Sequence, residues 1–221
     1  MRHLAAILAL ASLAFAGAPE ELAELQGACD GAKLGRIERY TTFKPRYEKF
    51  VEVHAGTDEA LTAQLWLMQQ SWWLYKDRPA MHAEAARWAD RILKEYPKSE
   101  RLSEIPLAHY VFNKEQKQKY FTWLLEKSPH RGAQAAGLYG LAQAGKDRSL
   151  YERLGNEYAD AKYRATTYGA MAKAHLNIHD RAALVVGKPA PEIEGIDHEG
   201  KPMKLSGFRG KVVVLDFWGD W

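Results

Sequence analysis

The feature that most constrains this chain is a helical spacing of large apolar residues that runs through most of its length. The first clear example is formed by Leu61, Leu65, Met68, Trp72 and Tyr75. Spacings of three and four positions place such residues on one face of an α-helix, and Thr57 or Asp58 can cap its start. The region is therefore expected to pack helices against one another.

A second helix is predicted directly after this one, with Pro79 in its first turn. Its apolar face has the same spacing and comprises Met81, Ala85, Trp88, Ile92 and Tyr96. Further helical segments are predicted at 102–112, 114–127, 131–144, 148–158 and 161–177. Short polar connections between them predict helical hairpins.

Three helix ends resemble one another at a constant interval of 31 residues, around Glu95, Glu126 and Glu157. This interval is close to the period of tetratricopeptide repeats, which is about 34 residues. The Trp, Gly and Ala signature of those repeats is not cleanly present, so an irregular helical bundle is the alternative interpretation.

The helical region is rich in tryptophan: Trp66, Trp72, Trp73, Trp88 and Trp123. Aromatic residues at helical spacing usually bury large areas between packed helices, so they are interpreted as core. A peptide-binding groove is the alternative interpretation.

Composition excludes several classes of protein. The chain is 47% hydrophobic and 27% charged with a formal charge of +3, and its basic residues are not clustered, so no nucleic-acid partner is predicted.

His175 and His179 lie one helical turn apart and could share a metal, but no third ligand is identifiable. No Ser-His-Asp set and no glycine-rich phosphate loop are present, and no cofactor is predicted.

The N-terminus has the pattern of a secretory signal peptide. Arg2 precedes an apolar stretch that ends at Phe15, and small residues follow. Because the stretch has about a dozen residues and a membrane-spanning helix needs about 20, a permanent membrane anchor is disfavoured. We expect cleavage near Ala16 or Ala18, no stable membrane span after cleavage, and export to the periplasm or cell envelope. The predicted domains are a signal peptide (1–18), a helical domain (19–184) and a C-terminal segment (185–221).

The single cysteine, Cys29, excludes an internal disulfide, a cysteine zinc site and a two-thiol redox cycle within these residues. The hypothesis that Cys29 carries a lipid anchor fails, because Leu25 lies one position too far from this cysteine. The thiol could pair with another chain, but a buried thiol without a role is the favoured interpretation.

The spacing changes at residue 185. Residues 186–195 hold two prolines and two glycines, which end the helices and predict an extended linker. Residues 192–206 alternate between polar and apolar types around a turn, which predicts a β-hairpin. The apolar run at 212–218 predicts a central strand buried on both faces.

This C-terminal segment resembles the opening of thioredoxin-like redoxin domains. The resemblance is to the TlpA-like thiol–disulfide oxidoreductases of the cell envelope, which are related to the alkyl hydroperoxide reductase and thiol-specific antioxidant group. It covers about 35 residues and is carried by Gly187-x-Pro189-Ala190-Pro191, the Asp197–Lys201 turn, Leu205-Ser206, Arg209-Gly210-Lys211 and Phe217-Trp218-x-x-Trp221. The fold class is therefore expected to be mainly α, followed by an incomplete α/β thioredoxin-like domain with a β-hairpin and a first central strand.

The resemblance also implies roles for three residues. Asp216 matches the acid that manages the proton of the buried second cysteine in thioredoxins, although some relatives have asparagine there. Trp218 and Trp221 match the aromatic residues that flank the active-site loop. In the family the next residue is the first cysteine of a Cys-x-x-Cys motif, and the sequence stops at Trp221. A fragment of a longer oxidoreductase, inactive by itself, is therefore expected.

Three functions remain open from the sequence. The first is a dithiol oxidoreductase whose partners are thiols and disulfides of an unidentified client protein or electron donor. The second is a thiol peroxidase, which usually places its reactive cysteine differently. The third is a helical interaction module that carries a vestigial redoxin segment.

Overall fold

The computed structural model describes residues 17–179 and 185–216. The chain divides into two compact units after Ala174. The helices and strands of the first unit are α1 (Ala18–Gly31), α2 (Arg36–Val53), α3 (Asp58–Gln70), α4 (Arg78–Glu95), α5 (Lys114–Lys127), α6 (Arg131–Gly145), α7 (Arg148–Glu157), β1 (Lys162–Tyr163), β2 (Thr166–Thr167) and most of α8 (Tyr168–His179), with 3₁₀ helices at Ser71–Leu74 and Glu100–Val111. The second unit holds β3 (Glu194–Ile196), β4 (Pro202–Lys204) and a 3₁₀ turn at Leu205–Phe208. The predicted fold class, mainly helical with a C-terminal β-hairpin, is confirmed.

The first predicted helical hairpin is present as α3 and α4. The hydroxyl of Thr57 accepts a hydrogen bond from the backbone N–H of Ala60 at 3.1 Å, and Asp77 caps α4 in the same way through Ala80 at 3.0 Å. Side-chain caps of this kind stabilise a helix start by about 1 kcal/mol. The faces predicted from the spacing are buried at Leu61, Leu65, Met68, Met81, Ala85, Trp88 and Ile92.

The end of α3 differs from the prediction. The α-helix stops at Gln70, and Ser71–Leu74 forms a 3₁₀ turn in which Ser71 Oγ donates to the carbonyl of Met68 at 2.7 Å. A 3₁₀ turn has three residues per turn instead of 3.6, so the residues after it leave the apolar face of α3. Trp72 and Tyr75 are consequently 38% and 41% exposed, and their assignment to the core is wrong.

The other tryptophans, which were also interpreted as core, are buried to different degrees. Trp88 is 1% exposed. Trp66 and Trp123 are partly buried and pack against the core, where Trp66 stacks on Tyr47 with ring centroids 3.8 Å apart. Trp73 is partly exposed. Burial therefore follows position along each helix rather than residue type.

Two later segments also depart from the predicted helices. Residues 100–111 form 3₁₀ turns, with Pro106 inside and a kink at Ala108, because proline removes a backbone donor and disfavours a continuous α-helix. Residues 162–167 form the antiparallel pair β1–β2, in which Arg164 has φ 51°, before α8 begins. The predicted helix at 161–177 is therefore a short hairpin followed by a helix.

The predicted repeat stays a prediction. Helices α4, α5 and α7 end at Glu95, Lys127 and Glu157, so the helix ends do recur near the predicted positions. The region between α4 and α5 is a 3₁₀ segment, however, so the second pair does not consist of two α-helices. The predicted domain boundary at residue 184 likewise stays a prediction.

Helices α5 and α6 approach each other unusually closely. A Cβ atom added at Gly137 would lie 2.6 Å from the carbonyl oxygen of Phe121, and one added at Gly140 would lie 2.6 Å from the ring of the same residue. Only glycine permits this separation without displacement of the partner helix. The two glycines thus fix how α6 docks on α5.

The second unit differs from the first in how far its residues are buried. Every residue of β3 and β4 is exposed, and the buried hydrophobic residues of the described chain end at Ala172. In the part of the chain that the structure describes, no helix is long and apolar enough to cross a membrane.

Candidate functional site

The hairpin of the second unit is the element on which the predicted redox site depends. Strands β3 and β4 are antiparallel, with Glu194 opposite Lys204, Gly195 opposite Met203 and Ile196 opposite Pro202. The Lys204 ammonium lies 2.7 Å from the Glu194 carboxylate across the pair. Opposite charges in directly facing positions favour this register over a shifted one.

The turn of the hairpin is organised by Asp197. Its carboxylate accepts hydrogen bonds from the backbone N–H groups of Glu199 and Lys201, each at 2.9 Å. Gly200 takes φ 80°, a conformation that side-chain-bearing residues rarely adopt. The predicted Asp197–Lys201 turn is therefore present and is closed by a short aspartate side chain and a glycine, as the sequence suggested.

The linker before the hairpin is tied to the turn after it. The backbone N–H of Leu205 donates to the carbonyl of Ile193 at 2.9 Å, and that of Ser206 donates to the Glu192 carboxylate at 2.9 Å. Hydrogen bonds from Ser206 lower the pKa of Glu192. A cleft of about 440 Å³ lies beside this connection and is lined by Pro189, Ala190, Pro191, Glu192, Leu205, Ser206 and Arg209.

The predicted site residues Asp216, Trp218 and Trp221 lie in the last residues of this unit. Residues 212–216 follow the turn at Gly210 and form no strand, although a central strand was predicted there. A strand exists only through pairing with neighbouring strands, and no described segment pairs with this one. Asp216 is exposed, whereas Trp218 and Trp221 lie outside the described residues. Of the three predicted site residues, Asp216 is therefore the one that the structure describes.

Comparison with known proteins finds short matches to thiol–disulfide oxidoreductases. The chain is 43% identical over 42 residues to the thiol–disulfide oxidoreductase ResA of Geobacillus thermodenitrificans, a match that covers 19% of this chain and 24% of that protein. It is 50% identical over 38 residues to ResA of Bacillus thuringiensis subsp. konkukian, with 17% and 22% covered. A short stretch of this chain is thus similar to thiol–disulfide oxidoreductases.

These matches are limited in extent. The chain spans about a quarter of the length of the ResA proteins that it matches. No protein-family model matches the chain, and no solved structure matches it either. The similarity supports a thioredoxin-like redoxin segment.

Cys29, the only cysteine of the sequence, is unsuited to thiol exchange. It lies in α1 and is 2% exposed. Burial raises the pKa of its thiol and Asp30 adds to the effect, while Arg39 and Arg46 oppose them without reversing the shift. Since the thiolate is the attacking species, a buried thiol with a raised pKa is a poor nucleophile.

The structure offers no metal centre in the residues that it describes: no group of three or more histidine, cysteine, aspartate or glutamate side chains is placed to hold an ion. His175 lies on α8 and belongs to no such group among the described residues. The Glu192 connection to Ser206 was not anticipated from the sequence. An acid two residues before one strand, with a serine two residues after its partner strand, is the signal that could have revealed it.

Proposed function

We propose that this chain is part of an exported thiol–disulfide oxidoreductase in which residues 185–221 open the redoxin domain and residues 19–184 form a helical domain. The observation that supports it best is the β3–β4 hairpin with its Asp197 turn. This hairpin is formed by the residues that carry the resemblance to redoxins, and a stretch of similar length matches ResA. We take that match to be the C-terminal segment.

The proposed chemistry needs two cysteines that the 221 residues do not contain. A thiolate attacks one sulfur of a client disulfide and forms a mixed disulfide, and the client's other sulfur leaves as a thiolate. A second enzyme thiol then resolves the mixed disulfide, so that two electrons reduce the client and the enzyme's cysteines form a disulfide. In this proposal a Cys-x-x-Cys motif follows Trp221, Asp216 manages a proton of the second cysteine, and Trp218 and Trp221 flank the motif.

The 221 residues by themselves are proposed to lack this activity, because the single thiol of Cys29 is buried and has no partner sulfur. Reduction of insulin by dithiothreitol should proceed at the uncatalysed rate when the chain is added, and a Cys29→Ala variant should give the same rate. Catalysis by the wild-type chain that Cys29→Ala abolishes would contradict the proposal.

The natural protein provides the decisive test. It can be captured from its source with an antibody raised against the helical unit, and the peptide containing residues 212–221 can be sequenced by mass spectrometry. We expect a Cys-x-x-Cys motif directly after Trp221, and insulin reductase activity that is lost when both cysteines are replaced by serine. A protein that continues without those cysteines would refute the oxidoreductase assignment.

Export is proposed from the basic, apolar and small-residue pattern at the N-terminus. The intact mass of the protein recovered from the periplasm should correspond to a chain that begins at Gly17 or Pro19. Replacing Leu8 and Leu10 by arginine should interrupt the apolar segment and retain the protein in the cytoplasm. A cytoplasmic wild-type protein that keeps its N-terminal residues would contradict this part of the proposal.

A further inference from the structure

The helical unit carries a continuous exposed aromatic surface, which we call the aromatic face. It is formed by Ile37, Trp72, Trp73, Tyr75, His109 and Tyr110. Four of these are among the exposed large apolar residues of the chain: Ile37 at 40%, Trp72 at 38%, Tyr75 at 41% and Tyr110 at 43%. Isolated exposed apolar residues are ordinary, but a contiguous group of them marks a binding surface.

The continuity of the aromatic face follows from its ring contacts. The ring of Trp72 stacks against that of Tyr75 with centroids 6.0 Å apart and meets that of Tyr110 edge-on at 5.4 Å. Tyr110 in turn contacts His109 at 5.8 Å. The 3₁₀ turn at Ser71–Leu74 and the 3₁₀ segment at Glu100–Val111 thus display their aromatic side chains together.

Part of the aromatic face is concave and held in a fixed conformation. An open cleft of about 570 Å³ is lined by Gly35, Arg36, Ile37, Glu38, Thr41, Trp73 and Tyr75. The indole N–H of Trp73 donates to Gln70 Oε1 at 2.8 Å, and the guanidinium of Arg36 lies 5.3 Å from the Trp73 ring centroid. Aromatic side chains held in this way lose little conformational entropy on binding.

The cations around the aromatic face differ from those between α2 and α4 in whether they contact carboxylates. Between α2 and α4, Lys44, Arg87 and Arg91 all contact carboxylates of neighbouring residues. Around the aromatic face, Arg36, Lys76, Arg78 and Lys117 have no carboxylate within 4.0 Å among the described residues.

The pKa of the His109 imidazole is lowered, first by burial and then by the positive charge of the nearby Lys117. The nearby acids are Glu38 in the cleft and Asp77, which caps α4.

We propose that the aromatic face binds a polypeptide segment in which a large aromatic side chain is flanked by aspartate or glutamate. The cleft beside Trp73 and Tyr75 would take the aromatic side chain, and the unpaired cations would contact the acidic neighbours. This inference rests on the helical unit alone and does not depend on the proposed redox function.

Binding can be measured by fluorescence polarisation with the full 221-residue chain and a labelled peptide of about ten residues, long enough to lie along such a face. The probe carries a central Trp-Phe pair between runs of Asp and Glu. A second peptide has the same centre between runs of Lys. The acidic peptide should bind more tightly, and its affinity should fall as salt concentration rises.

Variants locate the site. Trp72→Ala should weaken binding about tenfold or more, as removal of a central aromatic anchor does, while Val53→Ala, at an exposed apolar residue outside the aromatic face, should leave affinity unchanged. Lys76→Glu should weaken binding about two- to fivefold, and Lys98→Glu, at an exposed cation elsewhere, should not. The Lys76 variant changes only an exposed side chain, so it tests the site even if the Trp72 variant unfolds.

Four results would overturn the proposal. These are the absence of binding of the acidic peptide, equal binding of the acidic and basic peptides, equal affinity of wild type, Trp72→Ala and Lys76→Glu, and a wild-type dimer that Trp72→Ala converts to a monomer. The last result would assign the aromatic face to self-association.

Discussion

Glu84 on α4 receives polar contacts both from α2 and from its own helix. Its Oε1 lies 3.0 Å from the ammonium of Lys44, and it accepts hydrogen bonds from Arg87 and from the indole of Trp88, both at 2.9 Å. Burial would raise the pKa of this carboxyl, but the three donors outweigh burial and the pKa is lowered overall. The folded protein therefore favours the ionised form.

Replacing Glu84 by glutamine should reduce the free energy of unfolding by about 1–3 kcal/mol near neutral pH, since hydrogen bonds to a charged group are lost. Because the folded pKa is depressed, the stabilisation is fully present above the unfolded pKa of about 4.3 and disappears as the pH falls through the folded value. The difference between wild type and variant in urea denaturation should therefore shrink below about pH 4.

A matched control for this experiment is Glu152→Gln, which breaks the exposed pair with Arg148 on α7. Exposed pairs contribute about 0–1 kcal/mol, so this variant should differ little from wild type at any pH. A Glu84→Gln variant that behaves like the control would show that the buried contacts of Glu84 contribute no net stability.

Cys29 provides a second prediction at the level of a single residue. Its thiol is 2% exposed and its pKa is raised by burial, so reaction with a disulfide reagent such as Ellman's reagent should be at least about tenfold slower in the folded protein than in urea. The absorbance change over time measures this directly. Equal rates in the two conditions would mean that packing of α1 against the core does not cover the thiol.

At the level of elements, the close contact between α5 and α6 requires glycine inside a helix. Alanine normally stabilises a helix interior relative to glycine by about 1 kcal/mol. At Gly137, however, a Cβ would lie 2.6 Å from a backbone oxygen that cannot move aside. Gly137→Ala should therefore lower the free energy of unfolding by about 1–3 kcal/mol, the usual cost of overpacking.

Gly27→Ala in α1 is the control for this substitution, because an added Cβ would meet no atom within 4 Å. It should stabilise the protein by about 0.5–1 kcal/mol through helix propensity alone. Thermal unfolding followed by circular dichroism compares the two variants. If Gly137→Ala were as stable as Gly27→Ala, the close approach of α5 and α6 would be incorrect.

The elements also show where sequence reasoning succeeds and where it fails. Apolar spacing located α3, α4, α5, α6 and α7 closely. All of these except α6 also begin at a side-chain cap. The spacing could not show that Ser71 would end α3, because a serine bonded to a carbonyl three residues back is compatible with either geometry. It therefore placed Trp72 and Tyr75 in the core. A peptide-binding groove was only the alternative interpretation of the tryptophans, and the spacing did not locate it.

For the whole molecule, the two units differ in how the sequence specifies them. The helical unit holds the buried hydrophobic residues of the described chain, so its fold follows from burial. The second unit has no fully buried residue among those that the structure describes, and its hairpin depends on turn chemistry at Asp197 and Gly200. That local chemistry was readable from the sequence, whereas the placement of Asp216 depends on strands that no described residue supplies.

The proposal that residues 185–221 are the opening of a redoxin domain can be tested directly. This chain is joined after Trp221 to the part of ResA that follows the stretch it matches, and insulin reduction is measured. We expect a folded domain with activity that disappears when the cysteines of the joined ResA part are changed to serine. A fusion whose rate does not exceed that of the serine variant, while intact ResA is active in the same assay, would contradict it.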